Sequence, residues 1–269
     1  NLNVSFANKM AKPGKIAFIS QSGALCTAIL DWSVDQNVGF SHFVSIGSMI
    51  DVGFHDLIDY FGSDPNTNSI VIYMESLTNA KKFMSAARAF SRTKPIIVLK
   101  AGKSSAGAKV ALSHTGTLAG NDIAFDAAFK RAGIIPVDTI DQLFNAAQAL
   151  AMQPRPKGNN LAIVTNAGGP GVLATDNLIK LGGNLPELST KAMDLLNESL
   201  PPMWSHGNPV DVLGDAGYER YGLAAKACLE DSNLDGLLVI LTPQAMTHPD
   251  EIAREIVAVS KKSKKPVLA

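Results

Sequence analysis

Cysteine is scarce. Cys26 and Cys228 are the two in 269 residues, and their separation fits neither a disulfide framework nor a spaced metal motif. Each falls in an apolar helical pattern, so a reducing cytoplasm is the expected compartment. Excess charge is also missing: Lys and Arg number 24, Asp and Glu 24, and the densest basic cluster is the short KKSKK near the end. Bulk electrostatic attraction to nucleic acid or to an acidic membrane is thereby excluded. Long hydrophobic runs are lacking too. SIVIYM and GLLVIL have the length of strands and fall far short of the roughly 20 apolar residues of a membrane span, and no signal peptide opens the chain. The chain begins at Asn1 without methionine and stops in KKPVLA, a pattern that resembles the middle of a buried strand. A piece of a longer polypeptide is expected.

What is present is core material. Hydrophobic residues make up 46% of the chain and charged residues 18%, the composition of a globular protein long enough for two domains. Short runs rich in Ile and Val alternate with helical patterns, the signature of βα units and a parallel sheet. KIAFIS at 15–20, HFVSIG at 42–47, SIVIYME at 69–75 and KPIIVLKAG at 94–102 read as strands. The stretches 23–36, 54–64 and 79–93 between them read as helices. The order then restarts after QPRPKGNN at 153–160, whose prolines, glycine and paired asparagines suggest a linker. LAIVTNAGGPGVLATDNLIKLG repeats the strand, polar turn and helix of IAFISQSGALCTAILDWSVDQNVG. NPVDVLGDAG follows as SMIDVGFHD does, with Asp211 in the place of Asp51, and the last helix and strand recur in order. The expected fold is therefore α/β: two tandem flavodoxin-like domains with parallel sheets, 1–152 and 160–269, the second truncated at its C-terminus.

In such sheets ligands gather outside the carboxyl ends of the strands. Two turns fall there, Ser20, Gln21, Ser22 and Gly23 in the first copy, and Thr165, Asn166, Gly168, Gly169 and Gly171 in the second. A strand that turns directly into a helix presents unpaired N–H groups at the positive end of the helix dipole, a ready anion site. Neither turn is a G-x-G-x-x-G or G-x-x-x-x-G-K-[ST] loop. One copy alone reads equally well as an ordinary capped turn. Two matching copies favour phosphate binding, with both helix N-termini aimed at one phosphoryl group.

The candidate to carry that group is His114 in ALSHTGTLAG. A neutral imidazole nitrogen is a competent nucleophile near neutral pH, and its neighbours are small and polar. A capping or surface-loop histidine remains the alternative. A metal ligand is disfavoured, since no His, Cys or carboxylate lies three or four residues away. Glu75, at the end of SIVIYME, could accept the second ring N–H of His114 and fix its tautomer; it reads equally as a surface carboxylate ahead of the helix at 79–92. Ser113 and Thr115, with the turn carboxylates Asp51 and Asp211, are expected behind these residues. The other four histidines share no pattern, and Trp32 and Trp204 read as packing residues.

Taken together, IAFISQSGAL, VSIGSMIDVGFHDLIDY, IVIYMES, SHTGTLAG, TNAGGPGVLATD and NPVDVLGDA resemble the nucleoside-diphosphate-forming acyl-CoA synthetases of the acetate–CoA ligase (ADP-forming) type, relatives of succinyl-CoA synthetase. The resemblance spans essentially the whole chain. It implies that His114 is the phosphorylated histidine, that Glu75 contacts it, and that the helices beginning at Ser22–Gly23 and Gly169–Gly171 are the two that stabilise phosphohistidine. The implied reaction interconverts acyl-CoA, ADP and phosphate with acid, CoA and ATP. The resemblance places CoA or acyl-CoA, ADP or ATP and Mg2+ mainly on a CoA-binding domain and an ATP-grasp domain or subunit outside these residues. The fragment alone is then expected to be inactive, and the assembly oligomeric. GFSHFVSIGSMIDVGFHDLIDYF and MESLTNAKKFMSAARAFSRTKPIIVLKAG also resemble the same module in bacterial lysine acetyltransferases, where it is fused to a GNAT domain and senses acetyl-CoA. That is the alternative.

Overall fold

Ile16, Ala17, Phe18 and Ile19 alternate across a strand, and both sets are buried, so this run is closed to water on its two faces. It forms the centre of β1 (Lys12–Ser20) in the computed structural model, which describes residues 10–104, 106–107 and 122–269. With β2 (Gly39–Ser45), β3 (Ser69–Met74), β4 (Ile96–Lys100) and β5 (Ile135–Val137) it builds a parallel sheet in the order β2-β1-β3-β4-β5. This is the flavodoxin-like order. The unit that contains it is residues 1–152.

The alternation along the strands decides which helix covers which face. Phe18, Val71 and Ile97 point to the side of α1 (Gly23–Asp35) and α5 (Ile140–Met152), where Cys26, Ile29 and Phe144 complete one core. Ile19, Ile72 and Val98 point to the side of α2 (Phe54–Ser63), α3 (Ala80–Phe90) and α4 (Asp122–Ala132), with Ile58, Phe83 and Phe129 in the other. Beyond the pattern traced in the sequence, residues 122–152 supply α4, β5 and α5. The strand read at 42–47 lies at Gly39–Ser45 instead. Phe40 is drawn into the core beside Phe18 and Phe43, and Gly39 pairs with Lys12, while Gly47 turns the chain at φ 52.

The second unit, residues 153–269, repeats the arrangement with β6 (Leu161–Thr165), β7 (Val210–Asp211), β8 (Gly236–Ile240) and β9 (Val267–Leu268) in the parallel order β7-β6-β8-β9. Helix α6 (Gly168–Lys180) follows β6, α8 (Tyr218–Glu230) follows β7, and α9 (Pro249–Ser260) follows β8. An extra helix, α7 (Thr190–Ser199), stands between α6 and β7 with no counterpart in the first unit. Ser189 caps it by accepting from the Ala192 N–H at 3.3 Å, and Ala192 and Leu196 seat it on the core. The segment at 153–160 is stitched into this unit: Gln153 accepts from the Val267 N–H at 3.1 Å, and Asn160 N–H donates to Asp235 at 3.1 Å. Trp204 is buried, its indole N–H donating to Asn197 at 3.1 Å. Among the described residues no helix is long and apolar enough to cross a membrane.

The Phe144 ring lies 4.7 Å from Trp32, 5.7 Å from Phe18 and 6.2 Å from Phe40. Phe144→Ala empties that space and is expected to cost about 3–5 kcal/mol, read as a lowered urea midpoint. Both cysteines are free and buried. Burial pushes the Cys228 thiol up to about 12, and raises that of Cys26 against opposing hydrogen bonds from Ser20 and Ser45. Both therefore stay protonated at about pH 8, and the native chain is expected to be inert to an aromatic disulfide reagent that titrates two thiols after unfolding.

Candidate functional site

In this strand order the direction in which strands are added to the sheet reverses between β1 and β3, and polar side chains can leave the sheet there without crossing a core. β1 delivers Ser20 to that point, fully buried. Its Oγ accepts from the Ser22 N–H and donates to the Ser22 carbonyl, both at 3.0 Å, pinning a tight turn. Ser22 then caps α1, its Oγ accepting from the Leu25 N–H at 3.2 Å. A helix start leaves four N–H groups without intrahelical partners. Here the cap residue and Leu25 are served, and the N–H groups of Gly23 and Ala24 have no acceptor among the described residues.

The second unit leaves the same two donors by different means. Thr165 Oγ1 accepts from the Ala167 N–H at 3.1 Å and donates to the Ala167 carbonyl at 3.0 Å. Ala167 has no side-chain acceptor to offer, but the third helical residue is Pro170, which has no N–H to satisfy. The N–H groups of Gly168 and Gly169 remain. A Cβ on Gly169 would meet nothing within 4 Å, so approach to these donors is open. Beside them Thr165, Gly168, Gly171, Ser205, Pro209 and Asp211 border a cavity of about 270 Å3. Each pair of bare N–H groups at a positive helix end is suited to an anion.

An amide side chain ties each turn to its neighbour. Gln21 Oε1 accepts from the N–H groups of Glu75 at 2.6 Å and Ser76 at 2.9 Å, and its Nε2 donates to Ser76 Oγ at 3.2 Å. Asn166 Oδ1 accepts from the Thr242 N–H at 2.8 Å while its Nδ2 donates to the Thr242 carbonyl at 2.9 Å. Glu75 follows β3 directly. Asn79 caps α3, its Oδ1 accepting from Lys82 N–H at 3.0 Å. Tyr73 stands two residues before Glu75 and so on the same face. Burial, and then the charge of Glu75, raise the Tyr73 hydroxyl above its ordinary pKa and keep it a donor.

Residues 13–150 match the succinyl-CoA ligase like flavodoxin domain, and residues 161–268 match the ligase-CoA domain. The chain belongs to the succinyl-CoA ligase-like family. The alpha subunit of acetate–CoA ligase (ADP-forming) II of Pyrococcus furiosus is 43% identical over the whole chain, which spans 59% of that relative. The 4-hydroxybutyrate–CoA ligase (ADP-forming) of Nitrosopumilus maritimus is 37% identical over the whole chain, which spans 38% of it. Acetyl-coenzyme A synthetase 1 of Ca. Korarchaeum cryptofilum, solved with phosphate and ADP, superposes with a TM-score of 0.94 at 37% identity, covering 99% of this chain and 58% of that one. The chain thus spans between about two fifths and three fifths of these relatives.

Within this family member the internal repeat can be set residue by residue from the strand pairing. Ser20 pairs with Tyr73 as Thr165 pairs with Ile240, so Thr242 stands where Glu75 does. Asp211 pairs with Thr165 as Ser45 pairs with Ser20, so Asp211 matches Ser45 and not Asp51. The shared Asp-Val wording misleads because the turn after β2 is longer than the turn after β7. Asp51 is exposed in that longer turn; Asp211 is partly buried and accepts from the Leu213 N–H at 2.9 Å. His114, Ser113 and Thr115 lie outside the described residues. The sequence reading passed over Tyr73, although Tyr-x-Glu on a strand is itself a signal that both side chains share a face.

The same correspondence puts Gly171 where Cys26 stands. A Cβ on Gly171 would come within 3.2 Å of Thr165 Cγ2, the methyl that Ser20 lacks. Gly171→Ala is therefore expected to be strained beside Thr165 and tolerated beside serine. The stabilities of Gly171→Ala, Thr165→Ser and the double variant should show a favourable coupling of about 1 kcal/mol in urea unfolding, and additivity would refute the contact.

Proposed function

We propose that the chain is the phosphoryl-handling part of an ADP-forming acid–CoA ligase, in which His114 carries the phosphoryl group between acyl phosphate and nucleotide. The observation that carries this reading is the paired turn: each unit ends its central strand in a buried hydroxyl that leaves the first two N–H groups of the next helix bare. A phosphoryl group on a nitrogen keeps two negative charges, and such donors stabilise it without reorganising. Phosphate attacks the thioester carbonyl of acyl-CoA, the C–S bond breaks, and CoA leaves from the acyl phosphate. The imidazole of His114 then attacks phosphorus, and the P–O bond to the carboxylate breaks. An oxygen of the ADP β-phosphate next attacks phosphorus, the P–N bond breaks, and ATP leaves with neutral histidine restored. Glu75 would accept the other ring N–H and hold the reactive nitrogen unprotonated.

Several groups in this scheme come from elsewhere. A CoA-binding domain and an ATP-grasp domain or subunit would present CoA, nucleotide and Mg2+; the share of each relative spanned, and the designation of one as an alpha subunit, support further domains. The relatives named above are ligases, and this favours ligase over an acetyl-CoA sensor attached to a GNAT domain. Free buried thiols suit a reducing cytoplasm. The test uses the full-length parent protein with γ-labelled ATP and magnesium. Wild type is expected to take up acid-labile, base-stable label and His114→Ala none; label that survives in His114→Ala would reject the assignment.

A further inference from the structure

Gln21 lies in the turn that opens α1, where a polar side chain would ordinarily be assigned to phosphate. Its geometry says otherwise. A carbonyl oxygen has two lone pairs, and Gln21 Oε1 fills both with the N–H groups of Glu75 and Ser76, at 2.6 and 2.9 Å, while Nε2 is turned to Ser76 Oγ. The Gln21 backbone N–H donates to the Tyr73 carbonyl at 3.3 Å, so the residue spans the gap between β1 and β3 through backbone and side chain together. The N–H of Glu75 and its Cα direction are set by that contact.

We propose that Gln21 is a positioning residue for Glu75 and not a ligand of the phosphoryl group: the amide fixes the main chain from which the carboxylate projects. The second unit supplies an internal comparison. Asn166 makes the equivalent bidentate contact, but it lands on Thr242, which has no carboxylate to aim. The tie between turns is thus common to both units, and in the first it has acquired a chemical consequence. This inference rests on the reading in which Glu75 orients the phosphoryl-carrying His114.

The test is a four-corner comparison in the full-length protein: wild type, Gln21→Ala, Glu75→Gln and the double variant, followed by the rate at which label from γ-labelled ATP appears on the enzyme and by the KM for phosphate in the forward reaction. Gln21→Ala is expected to slow phosphoenzyme formation about 10–100-fold, the usual cost of losing an outer partner. The KM for phosphate should stay within about twofold, and the double variant should be no slower than Glu75→Gln alone. A raised KM with an unchanged labelling rate, or effects that multiply in the double variant, would overturn the proposal in favour of a direct phosphate contact. Because Gln21→Ala strands two N–H groups, Gln21→Glu is included to keep the acceptor oxygen. It should recover most of the rate, and a Gln21→Glu protein with wild-type melting behaviour that is as slow as Gln21→Ala would equally overturn it. Failure of the underlying reading appears elsewhere, in the wild-type corner, as the absence of label that depends on His114.

Discussion

At the end of each central strand a buried hydroxyl, Ser20 or Thr165, folds back onto the backbone two residues further on. Much of each unit is arranged around that contact. Upstream, the strand is closed to water on both faces and admits apolar side chains almost throughout. Downstream, a helix must begin at once, and its first N–H groups need partners. The hydroxyl joins the two regimes: it satisfies the first orphan donor and fixes where the helix starts. The carbonyl of the same residue accepts from the neighbouring turn, Ile46 N–H at 2.9 Å in one unit and Val212 N–H at 2.8 Å in the other. Strand pairing thus continues past the formal end of the sheet, and the turn is braced from both sides.

The two units reach one result with different residues. Where Ser22 caps Leu25, Pro170 removes the need for a cap. Where Ser20 sits beside Cys26, the larger Thr165 sits beside Gly171. Each substitution is compensated by its neighbour, so little of the wording is shared while the two bare N–H groups persist. Position-by-position identity is therefore a poor guide to what the repeat preserves. Hydrogen-bond register is a better one, since it equates Glu75 with Thr242 and Asp211 with Ser45.

The long Ile and Val strands, their order of appearance and both polar turns were legible in the sequence because each depends on local pattern: two-fold burial makes an unbroken apolar run, and the turn residues follow immediately; the short β5 carried no such run. The helix α7 was not legible as an insertion, since the repeat supplied no counterpart to align it with. The start of β2 was missed because Gly39 and Phe40 join the strand through contacts with Lys12 and Phe18, distant in sequence. Gln21 shows the same limit at the site. In the string SQSGA its amide is indistinguishable from a phosphate donor; only the placement of β3 beside β1 brings Glu75 and Ser76 to it. The segment around His114, which drew attention by composition, lies outside the described residues.

The asymmetry between Glu75 and Thr242 follows from the electrostatics of the turns they adjoin. On the reading that both helix N-termini receive an anion, a carboxylate next to a bare pair of N–H groups would compete for them. In the first unit Gln21 accepts from the N–H groups of Glu75 and Ser76 and so fixes the backbone from which that carboxylate projects. In the second unit Asn166 makes the same tie to Thr242, which carries no charge. A neutral threonine leaves the bare Gly168 and Gly169 donors to an incoming anion.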